Sequence, residues 1–400
     1  MSALGLVSVP VVIAVAGAEA WGRVAVAQAM GLLFETFVSF GWPVVGAAEI
    51  AASDSERREA LVRAAFASRV LLAVPAAFVI GGLTFTGLTG AVDPWVEVIA
   101  AMAPVIGGLG LSWVFVGESS PSRYNLFDVL PRVVGTVVGL ILIGLTGHLL
   151  AFVLSQFAGQ AASVVLSHAA CVRRYATPER RKLRQSLGLG FATAGPGAAS
   201  ALVSSAYQNA PLVIIGLVAS PGEVAIYALA DRFLKLGALG VVPVTQTAQS
   251  WVPAASGAEQ LRARIRVTVM ATAVVSLIVV GLMALLVPFG GTLLSAGDVT
   301  ISTSLAAAVG TALGALLLGA VVGRACLVPM KMARAIAWAP LAALVVGVPA
   351  QYGLGSVLGA LGVGLGLALS EVVAAAVVCT VLAVGLSKLT SDSVERKSPK

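Results

Sequence analysis

The sequence predicts an all-α integral membrane protein of about 12 transmembrane helices, built as two parallel repeats of six. Composition, the placement of basic residues and an internal register near 200 residues each point there. Of the 400 residues 58% are hydrophobic and only 11% charged, and mean hydropathy is +0.99. A water-soluble globule carries about 25% charged residues, so that class is excluded. The net charge of +7 and pI near 9.7 sit in short loops and form no basic domain, so no nucleic-acid partner is expected. Cys171, Cys326 and Cys379 fall at helix ends or inside a span, no CxxC occurs, and His148 and His168 are the two histidines. Neither a disulfide framework, a metal site nor a cofactor is expected.

Taken in order, the apolar runs set the elements. The first, Ala3 to Ala18, has sixteen residues, roughly 24 Å of helix against a ~30 Å hydrocarbon core. It is expected to be truncated, or to begin upstream of Met1. Val24–Ala48 follows, and then Ser53 and Glu56 read as a capping box, hydroxyl and carboxylate each satisfying an amide at a helix start. Phe66–Gly90, Trp95–Gly117, Asn125–Gly147 and Leu149–Val172 complete six spans. The basic stretch Cys171 to Ser186 interrupts, with Arg173, Arg174, Arg180, Arg181, Lys182 and Arg184 against Glu179 alone. Six more spans run Gly188–Ala219, Val224–Gln249, Val267–Phe289, Ser304–Gly323, Ala335–Tyr352 and Val357–Leu386. Gly195-Pro196-Gly197 is expected to interrupt the first of these, the seventh span of the chain. The expected domains are residues 1–172, a basic linker 173–187, a second half 188–387 and a polar tail 388–400.

Lys and Arg resist translocation across an inside-negative membrane. Of 25 such residues, only Arg23 falls in an outer segment, with Arg232 and Lys235 inside a span; the other 22 lie in segments that this count places inside. The alternation predicts the cell inner membrane with both termini cytoplasmic. Laid over one another, the halves match Pro10 with Pro211, Pro43 with Pro243, Ser53/Glu56 with Ser256/Glu259 and Leu166-Ser167 with Leu369-Ser370. An even number of spans per half makes the repeats parallel.

Several segments resemble the multidrug/oligosaccharidyl-lipid/polysaccharide (MOP) exporter superfamily, in particular its Wzx-type polysaccharide flippases. The opening helix ends in Trp21-Gly22, the fourth span closes as Ser112-Trp113-Val114-Phe115-Val116-Gly117, and the eighth is entered through Glu223 to Leu234 with Tyr227, Ala230 and Arg232 at matching places. Val116 stands where the family commonly has Gln. The resemblance implies two MATE-like six-helix lobes around a central cavity, opening alternately to each side. It also implies a non-enzymatic flippase moving undecaprenyl-(pyro)phosphate-linked oligosaccharide from the inner to the outer leaflet for cell-surface polysaccharide synthesis. The bilayer and the lipid-linked oligosaccharide are then the partners, with polysaccharide polymerase machinery a further candidate. A cation-coupled multidrug antiporter and a membrane-embedded glycan polymerase or ligase are the alternatives. The first span holds no acid, which disfavours the antiporter, and the outer loops are short, which disfavours the enzyme.

A charge at bilayer depth costs about 2.5–3.5 kcal/mol on insertion scales, so each needs a partner or a wet cavity. Asp231 and Lys235, four apart, share a helix face and should pair, while Arg232 is turned away. Arg232 then either snorkels or faces the cavity to bind phosphate through its planar donors. Glu35 falls opposite Lys235 in the overlay and, with Asp231, is the candidate gating or coupling group; a neutral Glu35 in a protein-lined pocket is the plain alternative. Asp128 and Arg132 read as an interfacial helix pair, and Glu371 as a buried acid matched by His168. Gln208, Asn209 and Gln246, beside Tyr207 and Gln249, would bind sugar hydroxyls or hold helices together. The candidate substrate-binding set is Arg232, Lys235, Gln208, Asn209 and Gln246.

Overall fold

The computed structural model describes residues 2–86, 92–175, 183–332 and 334–395. Among them, nine helical stretches are long and apolar enough to cross a membrane, and no strand occurs. Glu179, Arg180, Arg181 and Lys182 of the central basic stretch lie outside the described residues, as does the end of the polar tail. The first unit is Met1–Leu217 and the second Val218–Lys400.

The apolar stretches resolve into twelve elements. They are α1 (Ser2–Ala16), α2 (Ala18–Ala52), α3 (Ser55–Phe85), α4 (Pro94–Gly117), α5 (Pro121–Thr146), α6 (Leu149–Tyr175) and α7 (Leu183–Val218). The second set is α8 (Pro221–Ala238 and Val241–Trp251), α9 (Ala258–Leu294), α10 (Thr303–Leu327), α11 (334–358) and α12 (360–395). The last two form one long apolar stretch that reverses at Gly359, whose φ of 58° departs from helix. By hydropathy α8 does not stand out, because Glu223, Asp231, Arg232 and Lys235 dilute its apolar content.

In the first unit α2 packs along α4, α4 against α6, and α5 along α6. Phe40 and Gly41, at φ 46° and 77°, break α2, and the chain restarts as the short helix Trp42–Ala52. Trp42 stacks on Trp113 of α4 with ring centroids 4.9 Å apart. Both belong to a core cluster with Ile50, Leu61, Leu111, Phe115 and Tyr175. Two glycines permit this approach: a β-carbon on Gly46 would lie 2.4 Å from the Trp113 ring, and one on Gly117 would lie 2.5 Å from the Ala47 oxygen.

The second unit repeats the device. The eighth element breaks between Ala238 and Val241, and its second segment packs on the end of α10, within a cluster of Val252, Leu317, Val321, Val322 and Leu327. Thus Pro43 and Pro243, matched in sequence, each stand just inside the restarted segment of a broken helix. Parallel repetition therefore reaches down to the kinks.

The Ser53/Glu56 capping box does not form. Ser53 closes the preceding segment, and Asp54 caps α3, its Oδ1 accepting from the Arg57 amide at 2.9 Å. Asp is as good an N-cap as Ser, and here it stands one position later. In the second unit Ser256 bonds to Gln260 Oε1 at 2.7 Å through both its amide and its hydroxyl, so Gln260 and not Glu259 is the partner. Nor do Gly195-Pro196-Gly197 interrupt α7, which runs as one helix of 36 residues. In this structure α7 packs on the first unit: Phe191 meets Phe40 edge-on at 5.0 Å, and a β-carbon on Gly41 would lie 2.5 Å from the Ala194 oxygen. Repeat and packing thus divide the chain at different points.

Candidate functional site

Where α2 and α4 both break, their helices cannot fill the interior of the first unit. A cavity of about 510 Å³ opens there, lined by Leu32, Glu35 and Thr36 of α2, Arg69 of α3, Gly107, Gly108, Gly110 and Ser112 of α4, Arg132 of α5, and Ser200, Ser204, Ser205, Gln208 and Asn209 of α7.

Arg69 is 1% exposed and holds the α4 break together. Its Nε donates to the Ala65 oxygen at 2.9 Å, and Nη1 to the Gly108 and Gly110 oxygens at 3.0 and 2.7 Å. Those two carbonyls belong to the turn where α4 is interrupted and need a donor from outside the helix. Charge alone places Arg69 among the cytoplasmic loop residues; its burial follows from a break some forty residues away in sequence.

Asp128 and Arg132 do pair, Nη2 to Oδ1 at 2.5 Å, inside the packed unit. Asp128 is 2% exposed and also accepts from Ser163 Oγ at 3.2 Å. It lies on the π-helical segment Tyr124–Val129, a local widening of the helix frequent at functional sites, while Arg132 lines the cavity. Glu35 points toward Gly107: a β-carbon there would meet Glu35 Oε1 at 3.2 Å and Gln160 Nε2 at 2.7 Å. Both side-chain tips therefore converge over one glycine of α4.

The facing wall is polar and uncharged. Ser200, Ser204, Ser205, Gln208 and Asn209 recur with helical spacing and fall within one half of α7. Gln208 is exposed, and its Nε2 donates to Ser204 Oγ at 3.0 Å. Asn209 is buried and spends its Nδ2 on the Ser205 oxygen at 3.0 Å. The structure thus brings Glu35, Gln208 and Asn209 into one site and adds Arg69 and Arg132, which sequence reasoning had left out of it.

In the second unit Lys235 Nζ stands 2.7 Å from Asp231 Oδ2, the pairing that their spacing predicts. Arg232 is half-buried and forms no ion pair among the described residues. Gln246 is exposed on the second segment of α8. Glu371 is buried, and His168 is half-buried, bonding the Val164 oxygen through Nδ1 at 3.0 Å and packing edge-on against Phe66.

A family model described as "Polysaccharide biosynthesis protein" matches residues 1–259. The chain belongs to that family. Among solved structures it is similar to the lipid II flippase MurJ in an inward closed conformation, with a TM-score of 0.70 at 12% identity over 98% of this chain and 88% of that one. It is also similar to an inward-facing multidrug resistance MATE family transporter of the MOP superfamily, with a TM-score of 0.68 at 17% identity over 98% and 96% of the two chains. No curated protein sequence matches it. At such identities the likeness is one of fold, and the fold is the all-α membrane architecture of MOP-superfamily transporters.

Proposed function

We propose that the protein is a flippase that carries an undecaprenyl-(pyro)phosphate-linked oligosaccharide from the inner to the outer leaflet by alternating access. One observation carries the reading: a polysaccharide-biosynthesis family member has, inside a membrane-spanning unit, a cavity that sets a guanidinium against a row of neutral hydrogen-bonding groups. Ser204, Ser205, Gln208 and Asn209 suit sugar hydroxyls, which a charged or purely apolar wall would not. In the second unit the Asp231 carboxylate is committed to Lys235, so Arg232 keeps its planar fork of donors for a phosphate. Lys235 and Gln246 complete the substrate-binding set. Glu35 takes the gating or coupling role, together with Asp231.

The test is a leaflet assay of lipid-linked oligosaccharide in a deletion strain complemented with wild type, Arg232→Ala or Glu35→Gln at matched expression. The expected result is inner-leaflet accumulation relieved by wild type, with Arg232→Ala at least tenfold slower. Intermediates that reach the outer leaflet and stay unpolymerised would transfer the assignment to a polymerase or ligase. No accumulation at all would transfer it to drug efflux. Should Glu35→Gln transport at the wild-type rate with the same pH dependence, the gating role is lost.

A further inference from the structure

At the C-terminal end of α4 the first unit holds a second cavity, of about 360 Å³, enclosed by the close of α4, the start of α5 and the last turns of α6. Its floor is apolar, with Phe115, Phe127 and Leu166, and its rim is basic, with Arg123, Arg173 and Arg174. Glu118 is the acid among the lining residues, and its carboxylate is fully engaged. Oε2 accepts from Arg123 Nη1 at 3.1 Å. Oε1 takes the Tyr175 hydroxyl and lies 3.7 Å from Arg174 Nε. Two of the three guanidiniums thus share this carboxylate, and each guanidinium has five N–H donors. Arg173 is exposed and makes no ion pair among the described residues.

The face of α6 that lines this cavity runs Leu166, Ala169, Ala170, Arg173, positions three, four and seven apart that stack on one side of a helix. It passes from apolar to basic within two turns. Beside it Val165 is 65% and Val172 59% exposed, and Leu126 and Leu130 of α5 are 53% and 48% exposed. An apolar skirt therefore continues from the floor onto the outer surface of the unit. Basic pockets between transmembrane helices at the cytoplasmic side suit anionic headgroups.

We propose that this pocket binds an anionic phospholipid of the surrounding bilayer, its phosphate against Arg173, Arg174 and the spare donors of Arg123, its acyl chains along Leu166 and the exposed apolar faces of α5 and α6. A free phosphate would use the rim and leave the apolar floor empty; a neutral lipid would use the floor and leave the rim uncompensated. The site is separate from the cavity containing Glu35, and the inference stands whatever molecule the protein transports.

The experiment uses the full chain, purified and placed in phosphatidylcholine nanodiscs doped with phosphatidylglycerol, with tightly retained lipid quantified after delipidating washes. Wild type should retain phosphatidylglycerol saturably and in preference to phosphatidylcholine of the same acyl composition. Millimolar glycerol 3-phosphate should not displace it. Arg173→Ala, at an exposed position that the fold does not need, should weaken retention about fivefold, and Arg266→Ala, exposed in the second unit, should leave it unchanged. Equal retention by wild type and Arg173→Ala, or no preference for phosphatidylglycerol, overturns the proposal. So does displacement by glycerol 3-phosphate, which would make this a free-phosphate site, or displacement by undecaprenyl phosphate at equal concentration, which would make it part of the transport route.

Discussion

Arg69 shows how one side chain can decide whether a membrane cavity exists. The bends of α4 at Gly108 and Gly110 free two carbonyls beside a buried guanidinium, where an unsatisfied polar group is expensive. A single guanidinium nitrogen serves both, and a second nitrogen of the same fork serves Ala65 on its own helix. Replacing it by methionine keeps the packing volume and strips the donors. Each orphaned carbonyl is worth about 1–3 kcal/mol, so Arg69→Met should lower stability in a detergent denaturation titration by about 3 kcal/mol. Arg69→Lys should recover less than half of that, because a compact ammonium cannot reproduce the planar fork. Wild-type stability in Arg69→Met would mean that the α4 break needs no clamp.

At the scale of the element, the kinks matter more than the spans. Twelve apolar stretches were legible in the sequence because hydropathy and the inside bias of Lys and Arg are summed over twenty residues at a time, and errors at single positions average out. A kink depends on single residues and on what lies across from them. Gly41 is the clearest instance: its φ is 77°, and a β-carbon would strike the Ala194 oxygen at 2.5 Å, yet in sequence it is one glycine among 44. Gly195-Pro196-Gly197 looked the better breaker and sits in continuous helix, since a proline inside a membrane helix is tolerated where neighbours re-satisfy the backbone. The site divides in the same way. Glu35, Gln208 and Asn209 were visible as polar residues in apolar helices, whereas Arg69 and Arg132 carried charges that loops and interfaces already explained. Gly41→Ala should therefore combine backbone strain with overpacking, each of order 1–3 kcal/mol, and yield little folded protein. Gly81→Ala, with nothing within 4 Å of the added carbon, should be neutral or stabilising by up to about 1 kcal/mol. Size-exclusion profiles and melting temperatures of the two variants make the comparison, and equal behaviour would refute the kink argument.

For the molecule as a whole, the arrangement of loops carries a directional statement that packing alone does not. Arg57 and Arg58 follow the α2 segment that restarts at Trp42, and Arg262, Arg264 and Arg266 follow its counterpart after α8. Parallel repeats would put both of these turns on one side of the membrane, and the inside bias predicts that this side is the cytoplasm. The turn between α9 and α10, which contains exposed Asp298, is then outside. Native thiols give a quiet background, since Cys171 and Cys326 are buried and Cys379 is half-buried. On intact cells a membrane-impermeant maleimide should label Asp298→Cys and spare Arg57→Cys, which should react only after permeabilisation. The opposite pattern would invert the whole chain, place the anionic-lipid pocket in the outer leaflet and reverse the direction of the proposed transport. Labelling of both positions from outside would instead break the parallel relation between the halves, because an odd number of crossings would then separate Arg57 from its counterpart turn before α9.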